Sequence, residues 1–125
     1  MNNPLALIIE DEVDVATLVS HALKSLGFET EVFQAGDKAL TRLAVIVPDV
    51  VLLDLNLPHG VSGADILRQI RADARLMATH VILLTGQPHI AEPLRDEADL
   101  VLLKPFSIDQ LTDLVTRLRP GSASG

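Results

Sequence analysis

The sequence predicts an α/β fold in which helices cover both faces of one parallel sheet. Short apolar runs alternate with segments whose apolar residues recur at helical spacing, a pattern typical of repeated βαβ units. Hydrophobic residues make up 48% of the chain, yet it contains only three Phe and no Trp or Tyr. Such an aliphatic composition suits strands that are buried on both faces. The 125 residues are enough for one domain with a substantial core.

The first half of the chain contains three predicted strands. Residues 5–9 form the first, and an apolar stripe at helical spacing then continues until Gly27, which is placed to end a helix. Residues 30–33 form a short second strand. The helix that follows must end before Pro48, because the position preceding a proline disfavours helix. Residues 49–54 (DVVLLD) are the most hydrophobic run, so we place this strand in the centre of the sheet.

The third helix, the fourth strand and an unusual segment come next. Ser62, followed three residues later by Asp65, resembles a capping box at the start of a helix. Residues 80–84 form the fourth strand. The segment 87–97 carries two prolines and few apolar residues at helical spacing, and proline is damaging in a helix interior. We therefore expect a short or irregular fourth helix.

The last strand and helix have clearer signals. Residues 98–103 form the fifth strand, which the Lys104-Pro105 pair ends. Ser107 and Gln110 form a second capping box, followed by apolar residues at helical spacing. The sequence therefore predicts a final helix that packs on the sheet.

Composition limits the classes of protein that the chain could represent. We expect one domain over residues 1–119, then a flexible tail or the start of a linker at residues 120–125. Without cysteine there is no disulfide framework and no thiolate metal site. No secretory signal or run of ~20 apolar residues is present, so we expect a soluble, cytoplasmic protein that does not contact a membrane. A net charge of −7 argues against direct nucleic-acid binding.

Five polar side chains follow the apolar runs, and parallel strands would bring them to one edge of the sheet. They are Glu10, Asp11, Asp54, Thr85 and Lys104. Ligands of open α/β sheets bind beyond the carboxyl ends of the strands. Three neighbouring carboxylates repel one another unless a hard cation such as Mg²⁺ binds them. We expect Lys104 to pair with Asp54 at rest and, together with the hydroxyl of Thr85, to contact the oxygens of a phosphoryl group when one is present. The five residues therefore predict a site for Mg²⁺ and a phosphoryl group.

Each of these residues alone also has an ordinary interpretation. Asp54 could cap a turn, and the Glu10–Asp11 pair could favour the first turn of a helix. Lys104 could be a solvated lysine, although a cis bond to Pro105 would aim it inward. The four histidines show no metal-ligand spacing, and neither a phosphate-binding G-x-x-x-x-G-K-[ST] loop nor a G-x-S-x-G serine elbow is present. The combination is more specific than any single member.

In this order and spacing, the residues resemble the receiver domain of bacterial two-component response regulators, over residues 5–118. The matching features are the acidic pair in IIEDE, Asp54 in DLNLP, Gly63, Thr85-Gly86 and Lys104-Pro105-Phe106. The resemblance implies a flavodoxin-like, doubly wound (βα)5 sheet with the strand order 2-1-3-4-5.

The resemblance also implies a phosphorelay role for this site. Asp54 would accept a phosphoryl group from a histidine kinase or a phosphotransfer protein, and the domain would switch a protein partner rather than act as an enzyme with turnover. Mg²⁺ would be bound by the side chains of Glu10, Asp11 and Asp54 and by the backbone carbonyl of Asn56. Lys104 and Thr85 would contact the phosphoryl oxygens. Asn56 and Gln87 match positions that tune hydrolysis of the acylphosphate.

Three departures from the family pattern stand out. Val101 occupies the position where the family usually has Tyr or Phe, and the segment between Thr85 and Lys104 is shorter than usual. The loop between Pro58 and Gly63 is one residue longer. The first two departures fall on the face that typical receivers use for dimerisation and output. We therefore expect intact phosphoryl chemistry with altered signal transmission.

Two other functions remain open at this point. A receiver fold could serve as an interaction module without phosphorylation, which the valine at position 101 favours. A Mg²⁺-dependent phosphohydrolase with an aspartyl nucleophile is the second. Such enzymes typically have a second acid two residues after the nucleophile, where this chain has Asn56. The downstream partner is not identified by the sequence.

Overall fold

Strands and helices alternate along the protein in a computed structural model that describes residues 3–58 and 60–118. The strands are β1 (Leu5–Ile9), β2 (Glu29–Phe33), β3 (Val50–Asp54), β4 (His80–Thr85) and β5 (Leu100–Leu103). The helices are α1 (Val13–Ser25), α2 (Gly36–Leu43), α3 (Gly63–Ala72), α4 (Pro88–Ala91) and α5 (Ile108–Leu118), with 3-10 turns at Ala74–Leu76 and Glu92–Leu94. None of the helices described is long and apolar enough to cross a membrane. The predicted tail falls within residues 119–125, outside the described part of the chain.

The five strands are parallel and lie in the order β2-β1-β3-β4-β5, which confirms the predicted fold and strand order. β3 lies in the centre and all of its residues are buried. Because successive strand residues point to opposite faces, β1 and β3 contribute to two hydrophobic layers. One layer packs against α2, α3 and α4, and the other packs against α1 and α5. With both faces covered, the strand ends are the accessible part of the sheet.

The helix ends follow local signals in the sequence. Ser62 Oγ accepts a hydrogen bond from the Asp65 N–H at 3.1 Å, and the Asp65 carboxylate accepts one from the Ser62 N–H at 3.4 Å. Ser107 and Gln110 make the equivalent pair at 3.1 and 2.9 Å. Gly27 ends α1 with a φ of 94°, which residues with a side chain rarely adopt. Both predicted capping boxes are therefore confirmed.

The segment between β4 and β5 is short and irregular, as predicted. α4 is a single turn that begins at Pro88, where proline is tolerated, and the 3-10 turn that follows contains Pro93. Ala91 and Leu94 are buried against the sheet. β5 begins two residues later than predicted, because the Ala98 N–H still bonds the Leu94 carbonyl at 3.2 Å.

Candidate functional site

The predicted side chains meet at the carboxyl edge of the sheet. Glu10 follows β1, Asp54 and Thr85 are the last residues of β3 and β4, and Lys104 follows β5. Parallel register places these strand ends side by side. Glu10, Asp54 and Thr85 are buried, whereas Asp11 is half-buried. The apolar strands thus carry polar groups to one place at the rim of the core.

Three carboxylates form the centre of the site. Glu10, Asp11 and Asp54 each offer an oxygen atom, and these atoms lie within 4.8 Å of one another. Within the described ranges, no other group of three or more His, Cys, Asp or Glu residues comes together in this way. Buried carboxylates at such distances require compensation by positive charge or protons. The cluster is therefore the best place on the described surface for a cation.

Glu10 shows how poorly the cluster is compensated by protein groups alone. Burial, together with a hydrogen bond to Asp54, raises the pKa of Glu10 from 4.5 to about 7, against the lowering effect of Lys104. Lys104 Nζ lies 2.7 Å from Glu10 Oε1 as an ion pair, and this buried oxygen accepts no hydrogen bond of good geometry from the other described residues. A hard divalent cation would coordinate such an oxygen, so the residues present fit Mg²⁺.

Asp54 is held as an anion. Oδ1 accepts a hydrogen bond from the Asn56 N–H at 2.9 Å, and Oδ2 accepts one from Lys104 Nζ at 3.4 Å. Burial raises the pKa of Asp54, but the hydrogen bonds from Glu10 and Asn56 and the charge of Lys104 outweigh it and leave the pKa below its ordinary value. The carboxylate is thus available as a nucleophile or a metal ligand.

Lys104 contacts three carboxylates rather than one. Its Nζ lies 2.7 Å from Glu10, 3.4 Å from Asp54 and 3.7 Å from Glu12. Burial lowers the pKa of Lys104, but contacts with Glu10 and Asp54 outweigh it and raise the pKa above its ordinary value. The expected Asp54 partner is present, but Glu10 is nearer. Glu12 was not among the predicted site residues, although it is the third acid of IIEDE and follows Glu10 and Asp11 directly.

The backbone around Lys104 and Thr85 links the last two strands. The Lys104 N–H donates to the Thr85 carbonyl at 2.8 Å, and the Lys104–Pro105 bond is cis. Thr85 Oγ1 accepts a hydrogen bond from the Gln87 N–H at 3.0 Å. Gln87 is exposed at the mouth of the site. The backbones of Thr85 and Lys104 therefore lie side by side at the ends of β4 and β5, and the side chain of Lys104 reaches across to Glu10 after β1.

The remaining predicted positions lie around this centre. Asn56 is exposed two residues after Asp54. Val101 is partly buried against the hydrophobic layer below α4. Gly63 lets α3 approach the site, because a Cβ there would lie 2.5 Å from the Asp54 carbonyl oxygen. At Gly86, by contrast, the nearest atom to such a Cβ would be the Lys104 carbonyl oxygen at 4.0 Å, so that loop is open.

Comparisons with known proteins agree with this geometry. The family model for the response regulator receiver domain matches residues 6–116. The DNA-binding response regulator MtrA of Mycolicibacterium paratuberculosis is 34% identical over 113 residues, which cover 90% of this chain and 48% of that protein. The chain therefore spans about half the length of the curated relatives it matches.

Solved structures show the same architecture. The chemotaxis response regulator CheY4 of Vibrio cholerae has a TM-score of 0.86 and 25% identity, covering 94% of this chain and all of that one. The receiver domain of a sensor histidine kinase from Pseudomonas aeruginosa has a TM-score of 0.83 and 25% identity, covering 94% of this chain and 98% of that one. That structure holds a magnesium ion in its active-site cleft.

The comparisons correct one prediction. The acidic charge argued against direct nucleic-acid binding, yet relatives such as MtrA are DNA-binding response regulators, so that exclusion is wrong. The physical reason is that a net charge describes only those residues over which it has been summed. The −7 of a receiver-length segment does not describe the surface of the rest of such a protein.

Proposed function

Because this chain belongs to the response regulator receiver domain family, we propose that it is a phosphoacceptor whose Asp54 takes a phosphoryl group from a phosphohistidine of a histidine kinase or phosphotransfer protein. The observation that carries the proposal is the convergence of Glu10, Asp11 and Asp54, with oxygens within 4.8 Å, beside the ammonium of Lys104. Receiver domains are signalling proteins rather than enzymes in the usual sense. A cytoplasmic location stays a prediction.

In the proposed reaction, a carboxylate oxygen of Asp54 attacks the phosphorus atom of the donor. The phosphorus–nitrogen bond of phosphohistidine breaks, the imidazole keeps the electron pair and takes up a proton, and Asp54 becomes an acylphosphate. The lowered pKa of Asp54 keeps it anionic before the attack.

The neighbouring residues have distinct proposed tasks. Mg²⁺ would be held by the side chains of Glu10, Asp11 and Asp54 and by the backbone carbonyl of Asn56. When bound, the ion neutralises the charge of the transferring group. Lys104 supplies a fixed positive charge to the phosphoryl oxygens, and Thr85 supplies a hydroxyl hydrogen bond. Asn56 and Gln87, exposed at the mouth, would govern how water reaches the acylphosphate.

The test is phosphorylation in solution with acetyl phosphate and Mg²⁺, followed by intact mass measurement. We expect one phosphoryl adduct on the wild type, loss of the adduct with a chelator, and no adduct on Asp54→Asn. Asp113→Asn is the matched control, because this exposed acid of α5 lies away from the carboxyl edge and should be modified like the wild type. An unmodified wild type, or an adduct retained on Asp54→Asn, would contradict the proposal.

The same experiment separates the alternatives. A module that works without phosphorylation would bind its partner equally well with Asp54→Asn and with or without beryllofluoride, a phosphoryl mimic. Val101, in place of the usual aromatic residue, is the observation that keeps this function in view. A phosphohydrolase would instead show steady turnover of phosphomonoesters.

A further inference from the structure

Lys104 is shared among three carboxylates, and only two of them belong to the carboxylate cluster of Glu10, Asp11 and Asp54. Glu10 and Asp54 offer oxygens to that cluster together with Asp11. Glu12, whose Oε1 lies 3.7 Å from Lys104 Nζ, is outside it. A cation bound by the cluster would draw Glu10 and Asp54 towards itself. Glu12 is then the carboxylate that remains available to the ammonium of Lys104.

The side chain of Glu12 is free to make this contact. Glu12 is the residue that precedes α1, and its backbone N–H donates to Glu10 Oε2 at 3.3 Å. Its side chain makes no capping hydrogen bond with the described residues and is 65% exposed. The backbone is therefore tied to the site, while the carboxylate stands at the rim in solvent.

From this arrangement, and resting on the function proposed above, we propose that Glu12 is a rim counter-ion that competes with the phosphoryl group for Lys104. In the unphosphorylated state with a cation bound by Glu10, Asp11 and Asp54, Glu12 would pair with the ammonium. When a phosphoryl group arrives on Asp54, it must replace Glu12 as the partner of Lys104, and its own negative charge repels Glu12. Both effects disfavour the phosphorylated state relative to a protein without this carboxylate. Glu12 is a positioning residue, acting through Lys104.

The size of the effect follows from exposure. Exposed ion pairs shift equilibria by up to about fivefold, since solvent screens them. We therefore expect Glu12→Gln to strengthen binding of a phosphoryl mimic about two- to fivefold, and the gain to shrink as salt is added. Asp14→Asn is the matched control. Asp14 is an exposed acid in the first turn of α1 for which the described residues show no contact with Lys104.

The experiment is calorimetric titration of the whole chain with beryllofluoride at saturating Mg²⁺, because the chain has no Trp or Tyr to report binding by fluorescence. Mg²⁺ affinity is measured separately for each variant. Loss of a nearby negative charge should leave Mg²⁺ binding unchanged or weaken it. Tighter beryllofluoride binding by Glu12→Gln, with Asp14→Asn like the wild type, therefore supports competition for Lys104 rather than an effect on the metal.

Three results would overturn the inference: unchanged affinity in Glu12→Gln, weaker affinity in Glu12→Gln, or an equal gain in Asp14→Asn. A wild type that shows no Mg²⁺-dependent binding of beryllofluoride would instead overturn the proposed function, and the inference with it. The two failures are therefore distinguishable in one set of titrations.

Discussion

Replacing Glu10 with glutamine should stabilise the metal-free protein, although it removes a proposed ligand. Glu10 is fully buried, and its pKa is about 7 instead of 4.5. A raised pKa means that the ionised form is less stable in the folded protein than in the unfolded chain. Because a difference of one in pKa corresponds to about 1.4 kcal/mol, the raised pKa of Glu10 corresponds to about 3 kcal/mol at pH 8. Gln keeps the shape of Glu and carries no charge, so it should recover part of this free energy.

The pH dependence has a definite sign. Because the folded pKa is the higher one, the contribution of Glu10 to stability is complete below about pH 4.5 and is lost as the pH rises through about 7. The wild type without metal should therefore lose stability between pH 5 and pH 8. Glu10→Gln should lack that loss, and Mg²⁺ should stabilise it less than the wild type at pH 8.

Urea unfolding followed by far-ultraviolet circular dichroism measures these changes, with a chelator or with Mg²⁺ at each pH. With a slope of about 1–3 kcal/mol per molar urea, a gain of 2 kcal/mol moves the midpoint by about 1 M. Glu29→Gln is the control, because Glu29 is an exposed acid of β2 at the opposite end of the sheet. A metal-free Glu10→Gln that is less stable than the wild type at pH 8, or that keeps the loss between pH 5 and pH 8, would refute the reasoning.

Three further predictions concern the site and its surroundings. Gly63→Ala should unfold at a lower urea concentration and bind Mg²⁺ more weakly, because a Cβ there would lie 2.5 Å from the Asp54 carbonyl oxygen. Gly86→Ala is the control and should match the wild type in both titrations, because the nearest atom to its Cβ would be 4.0 Å away. Asp11→Asn should weaken Mg²⁺ binding about tenfold or more in calorimetry, because Asp11 is a proposed ligand. Stability should change little, because Asp11 is only half-buried, and an unchanged Mg²⁺ affinity would contradict its proposed role. In nuclear magnetic resonance spectra, beryllofluoride should shift the amide resonances of residues 86–97 more than those around Val101, because no aromatic side chain at position 101 couples to Thr85. Equal shifts around Val101 would contradict this prediction.

Much of the fold was predictable because its signals are local. Capping residues such as Ser62 and Ser107 make short-range hydrogen bonds, and proline and glycine positions mark where helices can begin and end. The order of the strands could not be predicted from such local signals. Periodicity identifies a parallel sheet but does not arrange its strands, so the order followed from the family resemblance. The start of β5 was misplaced because turn bonds after α4 depend on tertiary packing.

The residues of the site were predictable as a set, but their pairings were not. Parallel strands must end at one edge, so Glu10, Asp54 and Lys104 had to meet once the strands were recognised. Lys104 Nζ lies 2.7 Å from Glu10 and 3.4 Å from Asp54. Which carboxylate is nearest therefore depends on side-chain directions and on a difference of less than 1 Å. The contact with Glu12 depends on how α1 leaves the sheet. Sequence spacing contains neither kind of information.

The burial of Glu10 connects stability with function in this protein. A buried carboxylate whose charge is offset mainly by one ammonium lowers the stability of the metal-free fold, and mutations that relieve it should be easy to find. The same carboxylate would be a strong ligand for a bound cation, because at pH 8 Lys104 is the nearest positive charge that offsets it. The free energy that this burial costs in the metal-free protein would therefore contribute to the binding of a metal ion. A site optimised for the stability of the metal-free protein would bind Mg²⁺ more weakly, which explains why a pure stability argument does not predict a glutamate here.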